Sequence, residues 1–151
     1  MVAVSTTDRA WEVEPVRPLE LADFLLIAEA VLGVPARRVA ESASLHLADS
    51  ALHAPTASFG GAEFHPGFAR KAAALCAHLV KNHPLRDGNE AVALVATIEF
   101  CQRNGHPWHA PAGDQDGHLT AERMWRLADA PLTDATVDEL AGWIAERLAG
   151  S

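Results

Sequence analysis

Two apolar-periodic segments, joined by a loop that neither can absorb, constrain this chain more than any other feature. Phe68, Ala72, Leu75, Cys76, Leu79 and Val80 recur every three or four residues, and so do Leu94, Val95, Ile98 and Cys101. That is the period of a buried helix face. Between them runs His83-Pro84-Leu85-Arg86-Asp87-Gly88-Asn89. Proline and glycine are poor residues for a helix interior, so Pro84 and Gly88 mark a connection between helices over about residues 67–81 and 89–103. The second helix begins with free N–H groups at Gly88, Asn89 and Glu90 and with the positive end of its dipole, a natural anion site.

The connection itself carries chemistry. An imidazole exchanges a proton near neutral pH, which makes His83 the candidate base. Asp87 suits one ligand position of an octahedral Mg²⁺ whose other ligands are phosphates and waters; it equally suits a helix cap. Gly88 lets the backbone approach a phosphate closely. Asn89 either donates to the same oxygens or stabilises the turn, and Arg86 is a neighbouring candidate cation. A base, a metal-capable carboxylate and an anion nest together point to phosphate-transfer chemistry.

The loop resembles the signature of the Fic/Doc family, H-P-F-x-D-G-N-[K/G]-R. Three other stretches resemble death-on-curing (Doc) toxins in the same order: Phe24 to Ala30, Leu47 to Leu52, and Phe59-Gly60-Gly61-Ala62-Glu63-Phe64-His65-Pro66. The similarity runs over roughly residues 19 to 149. It implies an ATP- and Mg²⁺-dependent transfer to a protein hydroxyl, with His83 as base, Asp87 on the metal, and Gly88, Asn89 and Arg86 near the phosphates. It also implies a short flap at Phe59, Gly60 and Gly61 that holds a target segment by strand-like pairing. Three positions depart from the pattern. Leu85 replaces Phe and keeps an apolar anchor of smaller volume. Glu90 stands where Lys or Gly is expected, and Ala91 where the phosphate-binding Arg is expected. Losing one such donor commonly costs on the order of 10²–10³ in rate. A carboxylate ~4 Å from a phosphate adds repulsion of up to roughly 4 kcal/mol at an effective dielectric near 20. Both changes weaken ATP binding unless Mg²⁺ or a neighbouring Arg, Arg86 or Arg103, substitutes for the missing cation.

The remaining sequence fits one all-α domain of about six helices with a small β-hairpin. At 151 residues and 49% hydrophobic, the chain suits a single core. Residues 1–18 read as an extended lead-in, with Trp11 a candidate for docking on the body, and residues 19–151 as the domain. Leu21, Phe24, Leu25, Ala28, Val31 and Leu32 form a helical face that Gly33 and Pro35 close. A second helix is expected from Ala36 or Arg37 to Leu52. Gly60-Gly61 is a hairpin-turn signal, although an ordinary loop with a tucked aromatic fits the same residues. Asn104-Gly105 closes the helix after the motif, and His106 to Gly117 reads as a loop anchored by Trp108. Thr120 is the expected cap of the next helix, with a staple between Leu119 and Met124. A capping box over Thr136 to Glu139 opens the last helix, whose face is Val137, Leu140, Ile144 and Leu148.

Charge and cysteine content narrow the function classes. The net charge is −8 with no Lys/Arg block, which argues against direct nucleic-acid binding. No apolar run spans a membrane and no leader pattern opens the chain, so a cytoplasmic protein is expected. Cys76 and Cys101 fall on core faces and read as buried thiols. His106, His109 and His118 match no strong zinc spacing. The inhibitory pattern [S/T]-x-x-x-E-[G/N] of some Fic proteins is absent, so the resemblance implies a Phd-type antitoxin supplied in trans. Resemblance to Doc further implies elongation factor Tu as target, with phosphate, or in second place AMP, as the transferred group; the Lys that accompanies the kinase chemistry is absent, since Glu90 holds its position. The competing reading is a catalytically weak binding protein that engages the antitoxin and tunes operon repression.

Overall fold

The computed structural model describes residues 15–150. Trp11 lies outside them. Seven α-helices occur among the described residues: α1 (Leu21–Leu32), α2 (Ala36–Ser42), α3 (Leu45–His53), α4 (Phe68–Asn82), α5 (Asn89–Arg103), α6 (His118–Asp129) and α7 (Asp134–Ala149). Two short strands, β1 (Ser58–Phe59) and β2 (Ala62–Glu63), pair antiparallel with Phe59 opposite Ala62. Gly60 and Gly61 have φ of 60° and 82°, as a tight two-residue hairpin requires. The hairpin therefore forms, and Phe59 is 80% exposed rather than tucked into the core.

Helix α4 is the centre of the molecule. It packs against α3, α5, α6 and α7. Lys71 through Ala77 are all buried, so this helix is enclosed on nearly every side. Ala72, Ala73, Ala74 and Ala77 make that possible, since side chains of one carbon let neighbouring helices approach from several directions. Phe24 of α1, Leu52 of α3, Phe100 of α5, Leu127 of α6 and Leu140 and Ile144 of α7 fill the space around it. Cys76 and Cys101 are free and buried, and burial pushes their thiols up to about 11 and about 12.

Three local expectations are corrected. The helix predicted over residues 36–52 is two helices, because Ala43 and Ser44 are extended and Ser44 caps α3 by accepting from Leu47 N. The Ser44 N–H donates to the Pro84 carbonyl at 2.8 Å, so the break serves the motif loop. Thr120 does not cap α6. That helix starts at His118, and Thr120 is a buried first-turn residue whose hydroxyl donates to Asp114. Asp114 also accepts from Leu119 N at 2.7 Å and Thr120 N at 3.0 Å, so the cap comes from the preceding 3₁₀ turn, Ala112–Asp114. Leu119 is 45% exposed and makes no staple. Finally, α7 is capped by Thr133, which accepts from Thr136 N at 3.2 Å, three residues before the predicted box.

Candidate active site

The loop from His83 to Gly88 connects α4 to α5 at one end of the helix pair, as the flanking periodicities predict. His83 ends α4 in the left-handed conformation, φ 53° and ψ 54°, with its side chain exposed. A non-glycine residue there costs roughly 1–2 kcal/mol, which the surrounding packing must offset. Pro84 and Leu85 turn inward and are buried. Leu85 is thus the apolar anchor its position demands.

Asn89 holds the loop shut. Its Oδ1 accepts from Leu85 N and its Nδ2 donates to the Leu85 carbonyl, both at 2.9 Å. The residue is 3% exposed, so of the two roles open to it in the sequence, the turn-stabilising one is observed. Gly88, φ 75°, is the first residue before α5, and a Cβ there would come within 2.5 Å of Leu32 Cδ2. Glycine therefore serves both the turn and the contact with α1. No side chain caps α5. The alternative use of Asp87 as a helix cap is absent, and its carboxylate is exposed beside the uncapped helix end.

The element facing this loop was not anticipated. A cleft of about 290 Å³ lies between Leu85, Arg86 and Asp87 on one side and Leu32, Val34, Val39 and Ser42 on the other. Ser44 N to Pro84 O, at 2.8 Å, fixes the end of this segment to the loop, and Asn82 Nδ2 to Leu47 O, at 3.0 Å, ties the end of α4 to α3. Residues 33–44 are therefore the wall of the site. The Ala43–Ser44 break hides within a continuous helical pattern, and the only sequence signal for this wall was the Gly33/Pro35 interruption.

The hairpin is elsewhere. It precedes α4, whereas the motif loop follows it, and 15 helical residues span about 22 Å. Phe59, Gly60 and Gly61 are exposed beyond the N-terminal end of α4, and His83 follows its C-terminal end. The same geometry removes Arg103 as a substitute cation. It sits at the far end of α5 and is held by Asp23 at 2.9 and 3.3 Å. Arg86 is the one cation in the cleft lining. Glu90 is half-buried in the first turn of α5, and Ala91 is exposed and offers no donor.

The other histidines do not assemble. His106 stacks on Phe68 at 4.0 Å, and His109 N donates to the Arg147 carbonyl. Trp108 packs edge-on against Trp143 at 5.7 Å, the loop anchor expected of it. Among the described residues, the His/Cys/Asp/Glu group close enough for a shared ion is Asp114, Asp116 and His118, in which Asp114 already caps α6. The carboxylate of Asp116 holds the His118 imidazole above its ordinary pKa.

Known proteins agree with the loop and its frame. The profile of the Fic/DOC family matches residues 18–101, more than half of the chain. The Toxin Doc of Mycolicibacterium smegmatis is 36% identical over 106 residues, covering 69% of this chain and 78% of the relative. No solved structure gives a significant match. The chain belongs to the Fic/DOC family. The matched region includes α1 to α4, most of α5 and the whole motif loop, and so every residue that lines the cleft. None of the described helices is long and apolar enough to cross a membrane.

Proposed function

We propose that this chain is a Doc-like toxin of a toxin–antitoxin pair, acting in the cytoplasm. Its reaction moves a phosphate, or in second place AMP, from ATP to a hydroxyl of a target protein, with elongation factor Tu as the target the resemblance favours. The observation that carries this reading is the His83–Asn89 loop. Asn89 closes it, Leu85 anchors it, His83 is exposed, α5 begins without a side-chain cap, and Arg86 and Asp87 line the cleft between them. His83 takes the proton from the target hydroxyl. The backbone N–H groups that open α5 receive phosphate oxygens. Asp87 suits Mg²⁺, being an exposed carboxylate with no partner among the hydrogen bonds of the loop. Bound Mg²⁺ would neutralise phosphate charge during transfer.

The donor set fits a metal and a backbone cradle but lacks the guanidinium expected at Ala91, leaving Arg86 as the cation in the cleft lining. That shortfall favours an attenuated enzyme, and it supports the second reading, a weakly catalytic binding protein that engages a Phd-type antitoxin in trans. One experiment separates the two. The chain is expressed with and without the product of the neighbouring gene, and Mg·ATP binding is followed by calorimetry. Growth arrest relieved by the neighbour, and abolished by His83→Ala, supports the toxin. Tight association with the neighbour, without arrest and without measurable ATP binding, supports the binding protein. No arrest, no ATP binding and no association would reject both.

A further inference from the structure

A second recess lies at the other end of the α4–α5 pair, remote from His83. Its volume is about 580 Å³, within the range of small-molecule sites. Among the described residues, Arg17, Lys71 and Arg103 line it against one carboxylate, Glu63, in a chain whose net charge is −8. Arg103 is compensated by Asp23 and Glu99, which makes Lys71 the group of interest. Lys71 is 6% exposed, and its Nζ donates to Glu63 Oε1 at 2.9 Å and to the His65 carbonyl at 2.7 Å. An ammonium has three donors, so one remains for a further acceptor.

A flat wall stands beside this ammonium. Phe68 stacks on Phe100 at 5.2 Å and 11°, and His106 stacks on Phe68 at 4.0 Å and 18°. Three near-parallel rings run from the core to the recess, and His106 is the outermost. Both Phe68 and His106 belong to the lining. A ligand ring laid on His106 extends the stack, and offset packing of flat rings adds to the gain from burial. The first turn of α4, which no side chain caps, opens on the same recess and adds to the positive field.

We propose that this recess binds a small anion in which a phosphate is joined to a flat ring, the chemical class of a nucleoside monophosphate. Lys71 receives the phosphate and His106 the ring. Glu63 competes for the same ammonium, so the hairpin that carries it regulates the affinity of the recess. The site is independent of the motif loop and of the reaction proposed there.

The test is a titration of the ¹⁵N-labelled full chain with adenosine monophosphate, with inorganic phosphate and adenosine as partial probes. The amides of Lys71, Gly105 and His106 should shift with the monophosphate, and each partial probe should bind about tenfold or more weakly. Lys71→Met should remove the shifts. Glu63→Gln, which keeps the hydrogen bond but not the charge, should tighten binding by about threefold or more. Shifts confined to Asn89 and Glu90, or absent everywhere, would overturn the proposal. So would a Glu63→Gln protein that binds no better, a result that stands even if Lys71→Met fails to fold.

Discussion

An asparagine stands at each end of α5, and the two make the same pair of bonds in different settings. Asn89 exchanges two hydrogen bonds with the Leu85 peptide at 2.9 Å, in a position 3% exposed. Asn104 exchanges two with the Arg17 peptide at 2.7 and 3.0 Å, half-buried near the surface. One amide shapes a loop that presents His83; the other fastens the approach to α1. Charge runs the other way. The Asn104 end holds Arg17, Lys71 and Arg103, while the Asn89 end, where the proposed function puts a phosphate, has Arg86 but also Glu90 and Ala91. The loop's framework is closed by Asn89 and Leu85, while Glu90 and Ala91 depart from the charge the family motif carries, so shape and charge can be tested separately.

The largest expected effect comes from restoring charge on the intact frame. Glu90→Lys with Ala91→Arg removes a carboxylate from the first turn of α5 and adds a fork that contacts two phosphate oxygens. Transfer activity should rise by about 10²–10³ and Mg·ATP affinity with it. Growth arrest without antitoxin and calorimetry measure the two. His83→Ala added to the double variant should abolish the arrest. If the unaltered chain already arrests growth and the double variant is no more toxic, Glu90 belongs to a different transfer reaction.

Next in size is the loss of the frame itself. Asn89→Ala leaves the Leu85 N–H and carbonyl without partners in a buried position, at about 2–4 kcal/mol of stability. Asn104→Ala exposes its partners to water instead and should cost about 1 kcal/mol or less. Urea unfolding of both variants compares them directly. Equal losses would dissolve the contrast between the two ends.

What the sequence revealed follows from how local each determinant is. The boundaries of α5 at Asn89 and Arg103 were legible because periodicity, Gly88 and Asn104-Gly105 all act within a few residues. So were the hairpin turn at Gly60-Gly61 and the inward Leu85. The Ala43–Ser44 break was not, because the Ser44 N–H bonds to Pro84, 40 residues away in sequence. Nor was the α6 cap, where Asp114 reaches from outside the helix and displaces Thr120 from the role its residue type suggests. The site suffered in the same way. His83, Asp87 and Gly88 are neighbours in sequence, but the cleft wall comes from Leu32, Val34, Val39 and Ser42, which only the fold brings to the loop.

The smallest effect expected is a pH dependence at the Asn104 end. Arg103 joins α5 to α1 through Asp23, and its hydrogen bond, followed by that from the Glu20 N–H, holds the Asp23 carboxyl below its usual 3.8. A carboxyl depressed by folding stabilises the native state fully above its unfolded value, and that contribution fades as pH falls through the folded one. Both side chains are partly exposed, at 27% and 29%, so solvent screening limits the contribution to about 0.2–1 kcal/mol. Asp23→Asn retains an acceptor for the Glu20 N–H and removes the charge. Its stability deficit against the parent chain should be steady above about pH 5 and shrink toward zero as pH falls below about 3. Measured by urea unfolding across that range, a deficit that persists in acid would show that the Asp23–Arg103 contact acts through packing rather than charge. The two ends of α5 would then differ in burial alone.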